Sequence, residues 1–294
     1  MGVALGLELL AQGGELAGHL NRSAEGRRQA AQRLGVPGAA DLPSLAARGP
    51  ELWLLTVPDA SLPEVVETLS PLIEPGQYVA HTSGATSVSV LEPCAARGAV
   101  TLAFHPLQTV TASPAPELFR GISIAVTPGT GGGAWEAGLR LAELLGARPF
   151  PLRDEDRALY HAAGVMASNY VVTLAWLARQ LFQRVGIPAD GALDALLPLT
   201  TRAVENLREV GIPQALTGPL LRGDLATIAR HLSTLEEEAP EALPAYRALG
   251  GATVGLLTEH QLLPEATLSE LEQMLAPPAP PEPSDPSTSP KGTR

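Results

Sequence analysis

The chain has 294 residues, 45% of them hydrophobic, and a formal net charge of −11 from 20 basic and 31 acidic residues. That length supports a core of one large or two smaller domains, and the acidity argues against a broad nucleic-acid surface, which needs a basic stripe. Cys94 is the single cysteine and Lys291 the single lysine, which excludes within one chain a disulfide framework, a thiolate metal cluster and any chemistry that needs a buried lysine.

In chain order, MGVALGLELL reads as a helix opening at Gly2. Six short apolar runs follow as strands: ELAGHL (15–20), LWLLTV (52–57), QYVAHT (77–82), VTLAFH (100–105), ISIAVT (122–127) and RPFPL (148–152). Each is bounded by Gly, Pro, Asn or Ser. Helical spacing appears between them at 24–34, 61–72, 87–97 and 134–146, with Ser61 and Glu64 placed as a capping pair. Strands alternating with such helices predict an α/β fold with a doubly wound parallel sheet covered on both faces. After Asp154 the pattern changes to one long helical run ending at Ile187, then helices at about 190–209, 222–237, 240–258 and 266–275. The expected domains are 1–152, α/β, and 153–276, all-helical. Residues 277–294 are too rich in proline to pack and are expected to be disordered.

No apolar run reaches the roughly 18 residues of a membrane span, and no basic segment precedes the first apolar run, so a secretory signal is not expected. A cytoplasmic protein without membrane or nucleic-acid partners is the expectation.

Two places match a dinucleotide-binding glycine pattern. Gly129-Thr130-Gly131-Gly132-Gly133-Ala134 fits it literally, after a strand and before a helix. Yet a dinucleotide domain needs several parallel strands after its first βαβ unit, and only one follows Gly129, so this stretch reads as a Gly-rich turn. The other place is the start. If Gly2 is the third glycine of G-x-G-x-x-G, it lets its helix pack closely on the sheet and turns the helix N-terminus toward a pyrophosphate. The strand after that helix ends at Asn21-Arg22-Ser23, where NAD-selective sites place an acidic residue. Here Arg22 and Ser23 suit a 2′-phosphate, which favours NADP with NAD as the alternative; the plain reading of Arg22 is a solvated loop residue.

Several further motifs stand together: Leu54-Leu55-Thr56-Val57-Pro58-Asp59, His81-Thr82-Ser83-Gly84-Ala85, His105-Pro106-Leu107-Gln108-Thr109, Tyr160-His161-Ala162-Ala163, Ala167-Ser168-Asn169-Tyr170, Thr217-Gly218-Pro219 and Arg222-Gly223-Asp224. Through them, over residues 1–255, the chain resembles the Rossmann-like oxidoreductases whose helical C-terminal half is a domain of unknown function of the 2520 type. That group is related to pyrroline-5-carboxylate reductase, prephenate dehydrogenase, ketopantoate reductase and the 6-phosphogluconate dehydrogenase superfamily. The resemblance implies an NAD(P)-dependent oxidoreductase acting on a small molecule, dimeric through its helical half. It also implies a strand and two glycines ahead of Gly2, which this chain lacks; a start codon assigned too late is the expected reason, a truncated product the other.

Within that resemblance the strand ends Thr56-Val57-Pro58, His81, Ser83 and Gly84 join Gly2, Asn21, Arg22 and Ser23 as cofactor contacts, with Val57-Pro58 along the nicotinamide ribose. His105 ends the next strand. His81 and His105 have no third ligand nearby in sequence, so no metal site is expected. On an unbroken helix His161 and Ser168 lie within about 20° of each other and Asn169 about 80° round; a polar strip of this kind forms either helix–helix hydrogen bonds or a substrate face. Relatives carry a catalytic lysine on this helix, and this chain has none there. His161 is therefore the candidate general acid, with Ser168, Asn169 and His105 completing the catalytic set. Gln108 and Arg222 are the candidate substrate contacts, Arg222 for a carboxylate; the plain reading of 222–224 is a helix start. The expected reaction is NADP-dependent reduction of a small oxo- or imino-acid, ketopantoate first. The alternatives are prephenate- or pyrroline-5-carboxylate-type chemistry and a nucleotide-binding protein without turnover.

Overall fold

The structure is a computed structural model and describes residues 1–111 and 117–277; the proline-rich tail lies outside the described residues. The chain divides into two compact units, Met1–Tyr170 and Val171–Arg294. The first ends after Tyr170 rather than Leu152, so the start of the long helical run belongs with the sheet.

The first unit opens with α1 (Gly2–Ala11), α2 (Ala24–Leu34) and α3 (Leu42–Ala46). A five-stranded sheet follows: β1 (Leu52–Leu55), β2 (Tyr78–His81), β3 (Val100–Pro106), β4 (Ser123–Pro128) and β5 (Arg148–Pro151), hydrogen-bonded in that order. Helices α4 (Leu62–Leu69), α5 (Glu92–Ala95), α6 (Ala134–Leu144) and α7 (Arg157–Ala167) complete it. Ser23 caps α2 by accepting a 3.0 Å hydrogen bond from the Gly26 amide, and Gly35 ends it in the left-handed conformation, which is why the 24–34 pattern was legible.

β1, β2 and β3 are mutually parallel, as are β4 and β5, but β4 runs antiparallel to β3. The all-parallel expectation fails at this point. Residues 107–122 contain no helix among the described residues, and a parallel neighbour needs a crossover element whereas an antiparallel one does not. ELAGHL also departs from expectation: it makes a single parallel bridge, His19 to Gly38, and joins no ladder.

Both faces of the sheet are covered, as expected. Leu102, Phe104, Ile124 and Val126 pack with Ala4, Leu5 and Leu9 of α1 and with Ala142 of α6. Trp53, Leu55 and Val79 face the other way, against Leu62, Val66, Leu69 and Cys94 of α4 and α5.

The long helical run is not continuous. α7 ends at Ala167, Ser168 leaves helical geometry (φ −127, ψ −65), and α8 (Asn169–Arg184) begins anew. Ser168 Oγ lies 2.8 Å from Gly164 O and 2.9 Å from Asn169 Oδ1, a local hydroxyl–carbonyl bond that competes with the helix ladder. The second unit continues with α9 (Ala189–Val210), α10 (Leu225–Glu238), α11 (Leu243–Glu259) and α12 (Glu265–Leu275). Ile228, Leu232, Val254, Leu257, Leu268 and Leu271 form the core of α10–α12.

Candidate active site

The C-terminal ends of β1, β2 and β3 lie at one edge of the sheet, because these strands are parallel and in register (Leu55 beside His81, His81 beside Ala103). Gly2 opens α1 against this edge: a methyl group built on it would collide with Thr56 Oγ1. The first turn of α1 carries no acidic side chain, and the first amides of a helix lack intrahelical partners. Gly2 and Thr56 thus make a close helix–strand approach of the kind found at pyrophosphate-binding turns.

The Gly129–Gly133 stretch is at the opposite edge, since β4 is antiparallel. Its Gly129 amide donates to Thr101 O (2.8 Å) and its Thr130 amide to Thr101 Oγ1 (2.9 Å), at the start of β3. Gly131 and Gly133 adopt φ of +98 and +87. This is a turn whose first two amides are spent on the neighbouring strand.

β2 runs into the turn Ser83–Ser87. Ser83 Oγ donates to Thr86 Oγ1 (2.8 Å) and accepts from the Thr86 amide (3.0 Å), closing the turn around Gly84. A Cβ on Gly84 would collide with His161 Nδ1 and sit 2.9 Å from His105 Nε2. The missing side chain therefore lets two imidazoles, one from β3 and one from α7, converge on one backbone atom. Their ring centroids are 5.8 Å apart at 80°. Tyr160, which precedes His161, places its hydroxyl 2.8 Å from His105 Nδ1, and Phe150 of β5 meets Tyr160 edge-on at 5.9 Å.

The electrostatics follow from burial. Desolvation pushes His105 down to about 4, helped by His161 and Arg157, with Asp59 opposing. Desolvation pushes Tyr160 up to about 12 against Arg157. At neutral pH His105 is uncharged and Tyr160 keeps its proton, so Tyr160 can donate to Nδ1 and leave the His105 N–H on Nε2, facing Gly84. His81 has no exposed surface. Burial first, then Arg157, lowers it to about 4 against Asp59, Asp154 and the Ser87 backbone. Neither of its nitrogens has a hydrogen bond of ordinary geometry among the described residues. The two strand-end histidines are thus unlike: His105 is partly exposed beside His161 and Gly84, while His81 is enclosed and offers a ligand no side-chain surface.

The nucleotide-tip residues are less concentrated. Asn21 Oδ1 pairs with His19 Nδ1 at 2.9 Å, Ser23 is spent on its cap, and Arg22 is exposed. Thr56 and Val57 are half-buried and Pro58 exposed at the end of β1. Gln108 closes its own loop, donating to Leu118 O at 3.3 Å and accepting from the Thr109 amide. The break at Ser168 removes the single helix face that joined His161 to Ser168 and Asn169. Arg222 belongs to the other unit and is exposed, while Asp224 caps α10 through the Thr227 amide (3.1 Å) and hydroxyl (2.8 Å). Among the described residues no three His, Cys, Asp or Glu side chains gather to hold a metal, and no helix is long and apolar enough to cross a membrane.

Sequence reasoning missed Arg157. It is 1% exposed and donates to Thr86 O at 2.6 Å, to Thr127 Oγ1 at 2.9 Å and to Ser83 O. Its setting, RDEDR, looks like a solvated charge run, and nothing local marks one member as buried.

Residues 1–106 match a Rossmann-like domain and residues 125–253 match the domain of unknown function DUF2520. The chain thus carries a Rossmann-like domain followed by a DUF2520 domain, as the sequence motifs implied. Among solved structures it is similar to a protein assigned as an NADP oxidoreductase from Bacteroides fragilis, at 23% identity over 84% of this chain and 91% of that one, with a TM-score of 0.71. It is similar also to a reductive aminase from Aspergillus terreus in complex with NADPH and ethyl levulinate (19%, 93% and 95%, TM-score 0.59) and to prephenate dehydrogenase from Aquifex aeolicus (15%, 89% and 94%, TM-score 0.53). At these identities the likeness is one of fold. No curated protein matches the sequence.

Proposed function

We propose that this chain is an NAD(P)-dependent oxidoreductase, with NADP preferred and NAD possible, that reduces a small oxo- or imino-acid in the cytoplasm. The observation that carries the reading is the convergence of His105 and His161 on the side-chain-free Gly84, at the same sheet edge where Gly2 packs on Thr56. When bound, the reduced nicotinamide supplies the hydride. Thr56, Val57, Pro58, Ser83 and Gly84 line its side of the site, and Arg22 with Ser23 and Asn21 selects the 2′-phosphate. His161 passes a proton to the substrate oxygen or nitrogen. His105, neutral and held by Tyr160, donates its Nε2–H to the same atom. Ser168 and Asn169 order the end of the helix that carries His161, and Gln108 serves the substrate's polar groups.

Ketopantoate is the first substrate to test, with prephenate- and pyrroline-5-carboxylate-type substrates next. Structures similar to this chain include a prephenate dehydrogenase and a reductive aminase, which keeps both carbonyl and imine substrates in the panel. Residues 1–152 serve as the nucleotide domain, α7 of the same unit brings His161 to the substrate, and the helices after Tyr170 serve dimerisation. Dimerisation is supported by α8, which buries none of its residues fully, and by exposed Val172, Trp176, Leu197, Leu199 and Val204 on α8 and α9.

The test is NADPH consumption across a panel of 2-oxo acids and cyclic imines, wild type beside His161→Ala. A fall of about a hundredfold in turnover for the variant is expected. Unchanged turnover would refute His161 as proton donor. Tight NADPH binding with no oxidation across the panel would favour the second reading, a nucleotide-binding protein without turnover.

A further inference from the structure

We propose that the buried guanidinium of Arg157, seconded by Asp154, is the positioning group that fixes Tyr160 and His161 of α7 against His105 and Gly84. The inference rests on the reading of that cluster as the reacting centre. Arg157, Tyr160 and His161 stand at i, i+3 and i+4, so all three share one face of α7. At the first of these positions the helix is tied to the Gly84 turn on both sides of the glycine: Arg157 donates to Ser83 O before it and to Thr86 O after it. Asp154, one turn earlier, accepts from the Ser87 hydroxyl and, at 2.8 Å, from the Val88 amide. The segment 83–88 is thereby held at four points by two side chains from the start of one helix.

The third bond of Arg157 reaches the sheet itself. Thr127 Oγ1 accepts from Arg157 and donates to Leu152 O at 2.8 Å. Thr127 lies in register with Ala103, and Ala103 with His81, so the guanidinium is anchored to the strand row next to His105. Burying a guanidinium costs several kcal/mol unless its donors are met. Here they are met by oxygens of neutral groups, and among the described residues no carboxylate lies within ion-pair distance of it. Its charge is therefore left to act on the site. The titratable and charged groups facing His105 are Tyr160, His161 and Arg157 from α7 and Asp59 from the turn before α4; burial first, then His161 and the Arg157 guanidinium, keeps the ring neutral.

The test uses the full chain with Arg157→Lys and Asp154→Asn. A lysine ammonium retains the charge but reaches one acceptor where the planar fork reached three. Arg157→Lys is expected to leave NADPH affinity within about threefold and to lower kcat at least about tenfold, the scale of a small misplacement of a catalytic group. Its His105 ring, followed by NMR, should titrate closer to the ordinary histidine range as water enters. Asp154→Asn, which keeps one acceptor, should lower kcat about threefold and weaken the NOE between the His105 and His161 rings. Unchanged kcat together with an unchanged His105 titration in Arg157→Lys would overturn the proposal. If that variant does not fold, Asp154→Asn decides: unchanged kcat and an unchanged ring–ring NOE overturn it. Wild type that turns over no substrate would defeat the proposed function alone, because the two NMR readouts need no turnover.

Discussion

The two units of the chain bury their apolar side chains very differently. In the sheet unit β1–β4 send residues into two cores, and Leu62, Val79, Phe104 and Val126 lose all their exposure. In the helical unit α10–α12 close a core of their own, but α8 buries no residue fully, its Leu177 and Leu181 packing in part against Leu235, Ala239 and Ala242, and α9 buries only Ala192 and Leu196. Val172 is 72% and Leu199 70% exposed. A sheet with a helix layer on each face completes its burial within one chain. Leu193, Leu197, Val204 and Leu207 recur at helical spacing along α9 and stay open, a stripe of the kind that marks a surface awaiting a partner. The sheet unit also holds the candidate site, where burial can shift acidities.

The comparison breaks most sharply at Gly84. Gly84→Val should cost more than about a hundredfold in kcat, since its methyls occupy the space of His105 and His161, while the far-UV circular dichroism of both units stays unchanged. Wild-type turnover in that variant would remove the sheet unit's claim to the chemistry.

Acid offers the next largest effect. His81 and His105 titrate near 4 in the folded chain because burial disfavours the charged ring, against about 6.5 when unfolded. Between these values the unfolded state binds more protons, so stability is present above about pH 6.5 and is lost as the pH falls toward 4, on the order of 3 kcal/mol for each ring. Urea denaturation followed at Trp53 across this window should show the slope, and His105→Asn should remove about half of it. A flat profile would contradict the buried-neutral assignment.

Light scattering tests the other half of the comparison. Val172→Asp combined with Leu199→Asp should convert a dimer into a monomer, with no change in the melting of the sheet unit. A monomeric wild type would mean that the open stripe serves another partner. The smallest effect should be equal in the two units: Ser23→Ala in α2 and Asp224→Ala in α10 each remove one helix cap, worth about 1 kcal/mol by chemical denaturation.

Most of the element order was legible before any coordinates, and the reasons are local. Ser23 and Gly35 bracket α2, and short apolar runs bounded by turn residues mark β1–β4. The role of the Gly129 stretch was legible by counting the strands that follow it. What escaped depends on neighbours distant in sequence. ELAGHL has strand composition, but a strand needs a partner beside it. The direction of β4 depends on what lies between it and β3. Ser168 interrupts a helix through a hydroxyl bond that its composition does not announce. Arg157 reads as one charge among five.

The sequence by itself determined most of the helices and β1–β5, that a sheet unit precedes a helical one, and that Gly2 opens a helix able to pack closely, because caps, periodicity and the need for glycine are properties of short stretches. Only the tertiary structure decided that His105 and His161 meet over Gly84 while His81 is sealed away, and that Arg157 lies beneath them. His105 and Gly84 lie more than fifty positions before the Arg157 and His161 that meet them, and their proximity and protonation arise from burial and strand register, which no local stretch encodes.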